Sequence, residues 1–121
     1  MNLHEFQGKQ ILESYGANIQ QGILAKTTEE SLQAAKKLNK ETGTDFFVIK
    51  AQVHAGGRGK GGGIKLAKTL EEVTSFSDSI LGMQLITPQT SKGGKRVNQV
   101  LICEDVYSPG EFEIREFYFS I

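Results

Sequence analysis

The stretch VIKAQVHAGGRGKGGGIKL, residues 48–66, decides the fold of this chain. It joins two strand-like runs, FFVIKAQV (46–53) and IKLA (64–67), through a loop in which six of the eight residues from Gly56 to Gly63 are glycine. β-Branched and aromatic residues favour strands, and a glycine-rich break between two strands is typical of a turn. The stretch therefore predicts a β-hairpin with a glycine tip.

The chemistry of this tip suits a polyphosphate. Glycine permits positive φ and close approach to a ligand, and successive backbone N–H groups can surround an anion. Arg58 and Lys60 add two cations inside the loop. The loop lacks the Ser or Thr that follows the lysine of a Walker A motif, and its formal G-x-G-x-x-G match precedes a strand instead of opening a helix. A flexible surface turn is the alternative interpretation.

Isolated charged residues near this loop have two possible roles. Lys50 interrupts a strand, where it either faces solvent or holds a ligand's phosphates, and the pattern alone favours solvent. Glu104 ends a later strand and Glu116 lies in the strand-like run REFYFSI, so each is either a solvated side chain or a ligand contact. His54 opens the loop as a loop-shaping or ligand-contacting residue. His4 and His54 have no partners at metal-ligand spacing.

Around the hairpin, helical periodicity and capping residues alternate with strand-like runs. Asn2 with Glu5, Thr27 with Glu30 and Thr69 with Glu72 are predicted capping pairs, and Gly16, Gly43 and Gly82 are predicted stops. The pattern is that of an α/β (α+β) fold. The predicted helices are 2–15, 28–42 and 69–81; the further strands are 18–25, 83–87, 97–104 and 115–121; the loops are 88–96 and 105–114.

Composition limits the function classes. The 121 residues fit one domain, and 14 basic residues balance 14 acidic ones, so no net charge attracts nucleic acid or a membrane surface. Cys103 is the single cysteine and lies in an apolar run, which predicts a buried thiol and no disulfide. No leader or membrane-spanning run is apparent, so a cytoplasmic location is expected. The end at Ile121, inside an apolar strand-like run, suggests a piece of a longer chain.

Four blocks together resemble the β subunits of succinyl-CoA synthetases: MNLHEFQGKQIL (1–12), VIKAQVHAGGRGKGGGIKL, LGMQLITPQT (81–90) and VNQVLICE (97–104). The resemblance resumes at REFYFSI. It implies an ATP-grasp fold, with residues 18–104 as the small nucleotide-binding lobe. Residues 1–17 and 105–121 would then be the first elements of a larger lobe.

The resemblance also implies which residues bind the nucleotide. Lys50 matches a phosphate-contacting lysine, Gly57, Arg58 and Gly59 match a phosphate loop, and Glu104 and Glu116 match nucleotide-contacting acids. Tyr107 matches a further contact, in a stretch that differs in length from some relatives. Gln20 falls where such enzymes contact the purine base, and its amide suits adenine or guanine.

The implied activity is a succinate–CoA ligase of the tricarboxylic acid cycle, ADP- or GDP-forming, in an αβ or α2β2 complex with an α subunit that carries a phosphohistidine. The substrates would be succinate, CoA and ATP or GTP with Mg²⁺. Metal ligands and the acid site are expected beyond Ile121, so this chain alone is predicted to be inactive. The alternatives are a related ligase such as malate–CoA ligase, and a non-catalytic nucleotide- or polyanion-binding module.

Overall fold

The computed structural model describes residues 3–107, 115 and 117. Within them, the order of elements follows the predicted alternation of helices and strands. The elements are α1 (Glu5–Ser14), β1 (Gly22–Ala25), α2 (Thr28–Thr42), β2 (Phe47–Ala51), β3 (Ile64–Ala67), α3 (Leu70–Ile80), β4 (Gln84–Leu85), β5 (Lys95–Arg96) and β6 (Val100–Glu104).

The central sheet has four strands in the order β1-β6-β2-β3, and every neighbouring pair is antiparallel. Strand β6, the last described strand in the chain, lies in the interior of the sheet between β1 and β2. Lys50 is opposite Leu101 of β6 on one side and Ile64 of β3 on the other. The hairpin predicted from the glycine-rich stretch is therefore confirmed.

Helices α2 and α3 cover one face of this sheet. Phe47, Ile49 and Ala51 of β2 point into a core that these helices line with Leu38 and Val73, among others. Successive side chains of a strand point to opposite faces, so Val48 and Lys50 point away from this core. The polar cluster described below consequently forms on the other face, beside α1.

The two core helices begin and end where their capping residues predict. The Thr27 hydroxyl accepts a hydrogen bond from the Glu30 N–H at 3.1 Å, and the Thr69 hydroxyl accepts one from the Glu72 N–H at 3.1 Å. Gly43 ends α2 with φ of +75°. These contacts satisfy helix-terminal groups that have no partner inside the helix.

Helix α1 departs from the prediction at its start. It begins at Glu5 with His4 as the N-cap, and not at residue 2 with Asn2 as the cap. The reason is partly tertiary: the buried Gln52 side chain accepts from the Phe6 N–H at 3.2 Å, and Gln7 accepts from the His4 N–H at 2.9 Å. These two amide side chains satisfy the donors at the end of the helix.

The apolar face predicted for α1 is not buried by the described residues. No residue of the helix is fully buried, and Tyr15, just after it, is 88 % exposed. Gly16 nevertheless follows the helix with φ of +83°, as its position predicted. The helix is therefore fixed to the sheet by its polar first turn and not by its apolar side chains.

Two further segments correct the predicted boundaries. The segment predicted as a loop over 88–96 ends in a short strand, because Lys95 and Arg96 pair with Leu85 and Gln84 in a second hairpin. Strand β1 covers only four residues of the predicted 18–25. The predicted strand 115–121 and the greater part of the loop 105–114 lie outside the described residues. No helix in the described part of the chain has both the length and the apolar character needed to cross a bilayer.

Candidate functional site

The glycine tip of the β2–β3 hairpin forms a compact turn. The Gly61 N–H donates to the Gly57 carbonyl at 3.2 Å, and the Gly63 N–H donates to the Arg58 carbonyl at 2.8 Å. Gly57 and Gly62 have φ of +72° and +81°, which side-chain-bearing residues rarely adopt. The tip is thus a defined cradle, whereas the sequence alone also allowed a flexible surface turn.

The second hairpin braces this tip. Gln89 accepts a hydrogen bond from the Gly56 N–H at 3.0 Å, and Lys95 donates to the His54 carbonyl at 2.8 Å. Gly61 packs so closely on the same hairpin that an added Cβ would lie 2.7 Å from the Ile86 carbonyl oxygen. Some of the glycines are therefore required by packing between hairpins, and not only by conformation.

Two of the predicted cations meet at one carboxylate. The Glu5 side chain receives the Lys50 ammonium at 3.0 Å on Oε1 and the Arg58 guanidinium at 3.0 Å on Oε2. Lys9 lies 3.5 Å from Oε1. Three cations, one each from strand β2, the glycine tip and helix α1, thus surround one anion in the first turn of α1.

This cluster changes the titration of Glu5. Burial by itself raises the pKa of the carboxyl, but the combined charges of Lys50, Arg58 and Lys9 and the Lys50 hydrogen bond outweigh burial and lower the pKa from 4.5 to about 2. Glu5 is therefore ionised throughout the neutral and mildly acidic range, and it acts as a permanent counterion.

Neutral groups fix the same cations from other directions. Arg58 also donates through Nη1 to the Ala51 carbonyl at 2.8 Å. The Gln20 side-chain oxygen accepts from both Lys50 and Lys9, each at 3.0 Å. Both Lys50 and Arg58 are consequently held at two points, although each side chain remains partly exposed.

An open pocket of about 700 Å³ lies beside this cluster and is lined by Glu5, Arg58 and the tip residues 53–59, among others. Among the described residues, the backbone N–H groups of Gly57, Arg58 and Gly59 have no hydrogen-bond acceptor. The three residues that carry these unpaired donors therefore line a space that is large enough for a small anionic ligand. Lys60 is exposed and has no ion pair within the described residues.

Not all the predicted site residues lie together. Glu104 is opposite Phe47, three residues along the ladder from the Lys50–Leu101 pair, which corresponds to about 10 Å. Tyr107 follows in an exposed turn, where its N–H donates to Asp105 at 2.9 Å. Glu116 lies outside the described residues, so its predicted role stays a prediction.

Gln20 connects the two ends of this surface. Its amide nitrogen donates to the Glu104 carbonyl at 2.6 Å, while its oxygen accepts from Lys50. The Glu104 side chain accepts from the Gln21 N–H at 3.2 Å. Glu104 therefore has structural partners in the two residues just before β1, in addition to the ligand role predicted for it.

His54 stacks on His4 with ring centroids 3.9 Å apart. Burial lowers the pKa of His4, and the charges of His54 and Arg58 lower it further. His54 lies at the start of the glycine-rich loop, so this stack agrees with a loop-shaping role for His54. Cys103 is buried as predicted, and burial raises the pKa of its thiol.

Glu5, Gln89 and Lys95 are among the residues of this site that sequence reasoning misses, together with Lys9 and Gln52. Glu5 was interpreted only as a capping residue, because its ionic partners are 45 and 53 positions away in the chain. Gln89 and Lys95 were placed in a polar loop, because their partners are backbone atoms of the glycine tip. The family resemblance assigned residues 1–17 to a larger lobe and gave none of them a role in the site.

The fold and this cluster of cations and backbone donors define a nucleotide-grasping type of domain. The chain belongs to the ATP-grasp domain family, whose model matches residues 2–121. It is 64 % identical over all 121 residues to the ADP-forming succinate–CoA ligase subunit beta of Flavobacterium psychrophilum, and 59 % identical over the same length to that of Christiangramia forsetii. The protein of the same name from Bacillus cytotoxicus is 55 % identical over 104 residues, 86 % of this chain.

The chain spans only part of these relatives. It covers 30 % of the length of the two relatives matched over all 121 residues and 26 % of the third. The similarity therefore concerns the portion that contains the glycine tip and the cation cluster.

Proposed function

We propose that this chain binds the phosphates of a nucleoside triphosphate at the glycine tip. The observation that carries the proposal is the convergence of Lys50 and Arg58 on one carboxylate, next to three unpaired backbone N–H groups. A strand lysine and a loop arginine pair with one carboxylate, and the loop amides belong to residues that line the adjoining pocket. Preorganised donors and cations of this kind stabilise phosphate charge without further rearrangement.

In this proposal the nucleotide lies along the sheet from the tip to the end of β6. Lys50, Gly57, Arg58 and Gly59 bind the phosphates. Glu104, Tyr107 and Glu116 contact the nucleoside end. Glu104 lies at the end of β6, three ladder positions from Lys50, although strand alternation directs its side chain toward the opposite face of the sheet.

The domain division follows from the same reasoning. Residues 18–104 form the small nucleotide-binding lobe, while 1–17 and 105–121 are the first elements of a larger lobe. The exposed apolar side chains of α1, which the described residues leave uncovered, support this division.

The whole protein is proposed to be the β subunit of a succinate–CoA ligase, which forms succinyl-CoA from succinate, CoA and ATP with an α subunit as partner. The names of the three relatives support this assignment and favour ATP over GTP. Mg²⁺ accompanies the nucleotide in such a reaction and neutralises phosphate charge. We propose that its ligands belong to the part of the relatives' length that this chain does not span, so that this chain alone is inactive.

The test uses the full-length protein together with its α partner. Formation of succinyl-CoA from succinate, CoA and Mg-ATP is followed for the wild-type protein and for Arg58→Ala. Lys65→Ala is the matched control, because Lys65 is an exposed lysine of the same hairpin that is opposite Ile49 and faces away from the cluster. Removing a charged hydrogen-bond donor is expected to reduce kcat/KM at least roughly tenfold for Arg58→Ala only.

The outcomes separate the parts of the proposal. Succinate-dependent turnover that Arg58→Ala abolishes and Lys65→Ala preserves supports both the activity and the phosphate site. Turnover with malate in place of succinate assigns a related ligase. Nucleotide binding without turnover on any acid leaves a binding module, and absence of nucleotide binding refutes the proposal.

A further inference from the structure

Glu5 is the only acidic side chain among the described residues that forms ion pairs with Lys50 and Arg58. Each of its oxygens has a different set of donors. Oε1 receives Lys50 at 3.0 Å, and Oε2 receives Arg58 at 3.0 Å and the Gln52 amide at 3.4 Å. The carboxylate therefore bridges a cation of strand β2 and a cation of the glycine tip.

The bridge leaves both cations able to bind a ligand. An ammonium has three donor hydrogens and a guanidinium has five. Lys50 uses two of them, on Glu5 and Gln20, and Arg58 forms contacts with Glu5 and the Ala51 carbonyl. Donors therefore remain on each cation while the carboxylate stays in place.

The bridge also overcomes a repulsion. Two cations that contact opposite oxygens of one carboxylate are close neighbours, and like charges at such distances repel each other. Arg58 is on a loop, where it could otherwise turn toward solvent and gain hydration. The carboxylate between the two cations offsets this repulsion and connects the loop to the sheet through helix α1.

We propose that Glu5 is a positioning residue, which holds Lys50 and Arg58 side by side in the orientation that receives the phosphates of the nucleotide. This inference rests on the proposed nucleotide binding and extends it to a residue of α1 that does not itself touch the ligand. The alternative is that Glu5 hinders binding, because its carboxylate would compete with the phosphates for the same cations. The unused donors on both cations favour positioning over competition.

The experiment measures nucleotide affinity in the full-length protein. Dissociation constants for Mg-ATP and for adenosine are determined by calorimetry for the wild-type protein, Glu5→Gln and Glu13→Gln. Glu13 is the matched control, since it is an exposed glutamate of the same helix whose side chain, within the described part of the chain, hydrogen-bonds to the Gln21 amide alone, at 3.5 Å. Glutamine keeps the shape of Glu5 but loses the charge that holds the cations together.

Positioning predicts that Glu5→Gln raises the Kd for Mg-ATP about tenfold, equivalent to about 1.4 kcal/mol. The Kd for adenosine should stay unchanged, because adenosine has no phosphate. A misfolded variant would lose both ligands, so this difference separates positioning from a general structural role. Glu13→Gln should behave as the wild type with both ligands.

A second comparison tests whether Glu5 acts through Arg58. The Arg58→Lys background retains a cation but lacks a guanidinium that contacts both Glu5 and the Ala51 carbonyl. In this background, Glu5→Gln should raise the Kd for Mg-ATP by a smaller factor than in the wild-type background. The reason is that part of what Glu5 positions has been removed. Equal factors in the two backgrounds would overturn the inference.

Two other results are decisive. Unchanged or tighter Mg-ATP binding by Glu5→Gln, with normal binding by the wild type, overturns the inference and leaves the proposed function intact. Failure of the wild-type protein to bind Mg-ATP overturns both.

Discussion

Replacing Glu5 by glutamine should change how the stability of this chain depends on pH. The folded-state pKa of about 2 lies below the ordinary value of 4.5. A carboxyl with a lowered folded-state pKa stabilises the fold above its unfolded pKa, and this contribution is lost as the pH falls toward the folded pKa. Glutamine does not titrate, so the variant lacks this contribution at every pH.

The magnitude follows from the difference between the two pKa values. At about 1.4 kcal/mol for each pH unit, the full difference corresponds to roughly 3 kcal/mol. Lys50, Arg58 and Glu5 remain partly exposed, with 19 to 22 % of each side chain accessible, so solvent screening reduces this value. We therefore expect Glu5 to contribute about 1.5 kcal/mol at pH 7, and more than half of it to be lost by about pH 3.

This contribution is measured by urea-induced unfolding, followed by circular dichroism at pH 7, 5, 4 and 3. It equals the difference in unfolding free energy between the wild-type protein and Glu5→Gln. The same difference for Glu13→Gln corrects for the loss of a surface charge. A wild-type advantage that narrows between about pH 5 and pH 3 is expected. A difference that is constant across this range would show that the Glu5 pKa is not lowered, and would refute the electrostatic account of the cluster.

Two further predictions concern the support of the glycine tip, and a third concerns the cap of helix α2. Gly61→Ala should reduce the unfolding free energy, measured by urea titration, by about 1–3 kcal/mol, because its methyl group would lie 2.7 Å from a backbone carbonyl oxygen. Gly93 has open space around it, so Gly93→Ala should have little effect in the same titration. Gln89→Ala should accelerate hydrogen exchange of the Gly56 amide, and unchanged exchange would exclude the bracing contact. Thr27→Ala should lower the melting temperature by removing about 1 kcal/mol of helix capping; an unchanged melting temperature would contradict this.

Local signals predicted the helices and strands that depend on neighbouring residues. Helix α2 matched its predicted limits because its threonine cap, its apolar stripe and its terminal glycine all lie within the segment itself. The β2–β3 hairpin was predictable because its two strands adjoin the glycine tip in sequence. Limits that depend on distant partners were predicted less well, as the start of α1 shows, since Gln52 lies 46 positions from the amide that it caps.

The amino-acid sequence by itself predicted the chemistry of the candidate site. The glycines, with Arg58 and Lys60 inside the loop and Lys50 just before it, indicated phosphate binding without any coordinates, and a flexible surface turn was the alternative. The sequence could not determine whether Lys50 faces solvent or a ligand, since strand alternation leaves both faces possible until the packing of the sheet is known.

Only the tertiary structure decided which side chains act together. It brought Glu5 from the first helix to Lys50 and Arg58, and it brought Gln89 from a second hairpin to the glycine tip. The physical reason is that ionic and hydrogen-bonding contacts act over a few ångströms of space, regardless of separation in sequence. Residue types therefore indicated the chemistry of the candidate site, and the sheet with its flanking helix determined which of its charged groups meet.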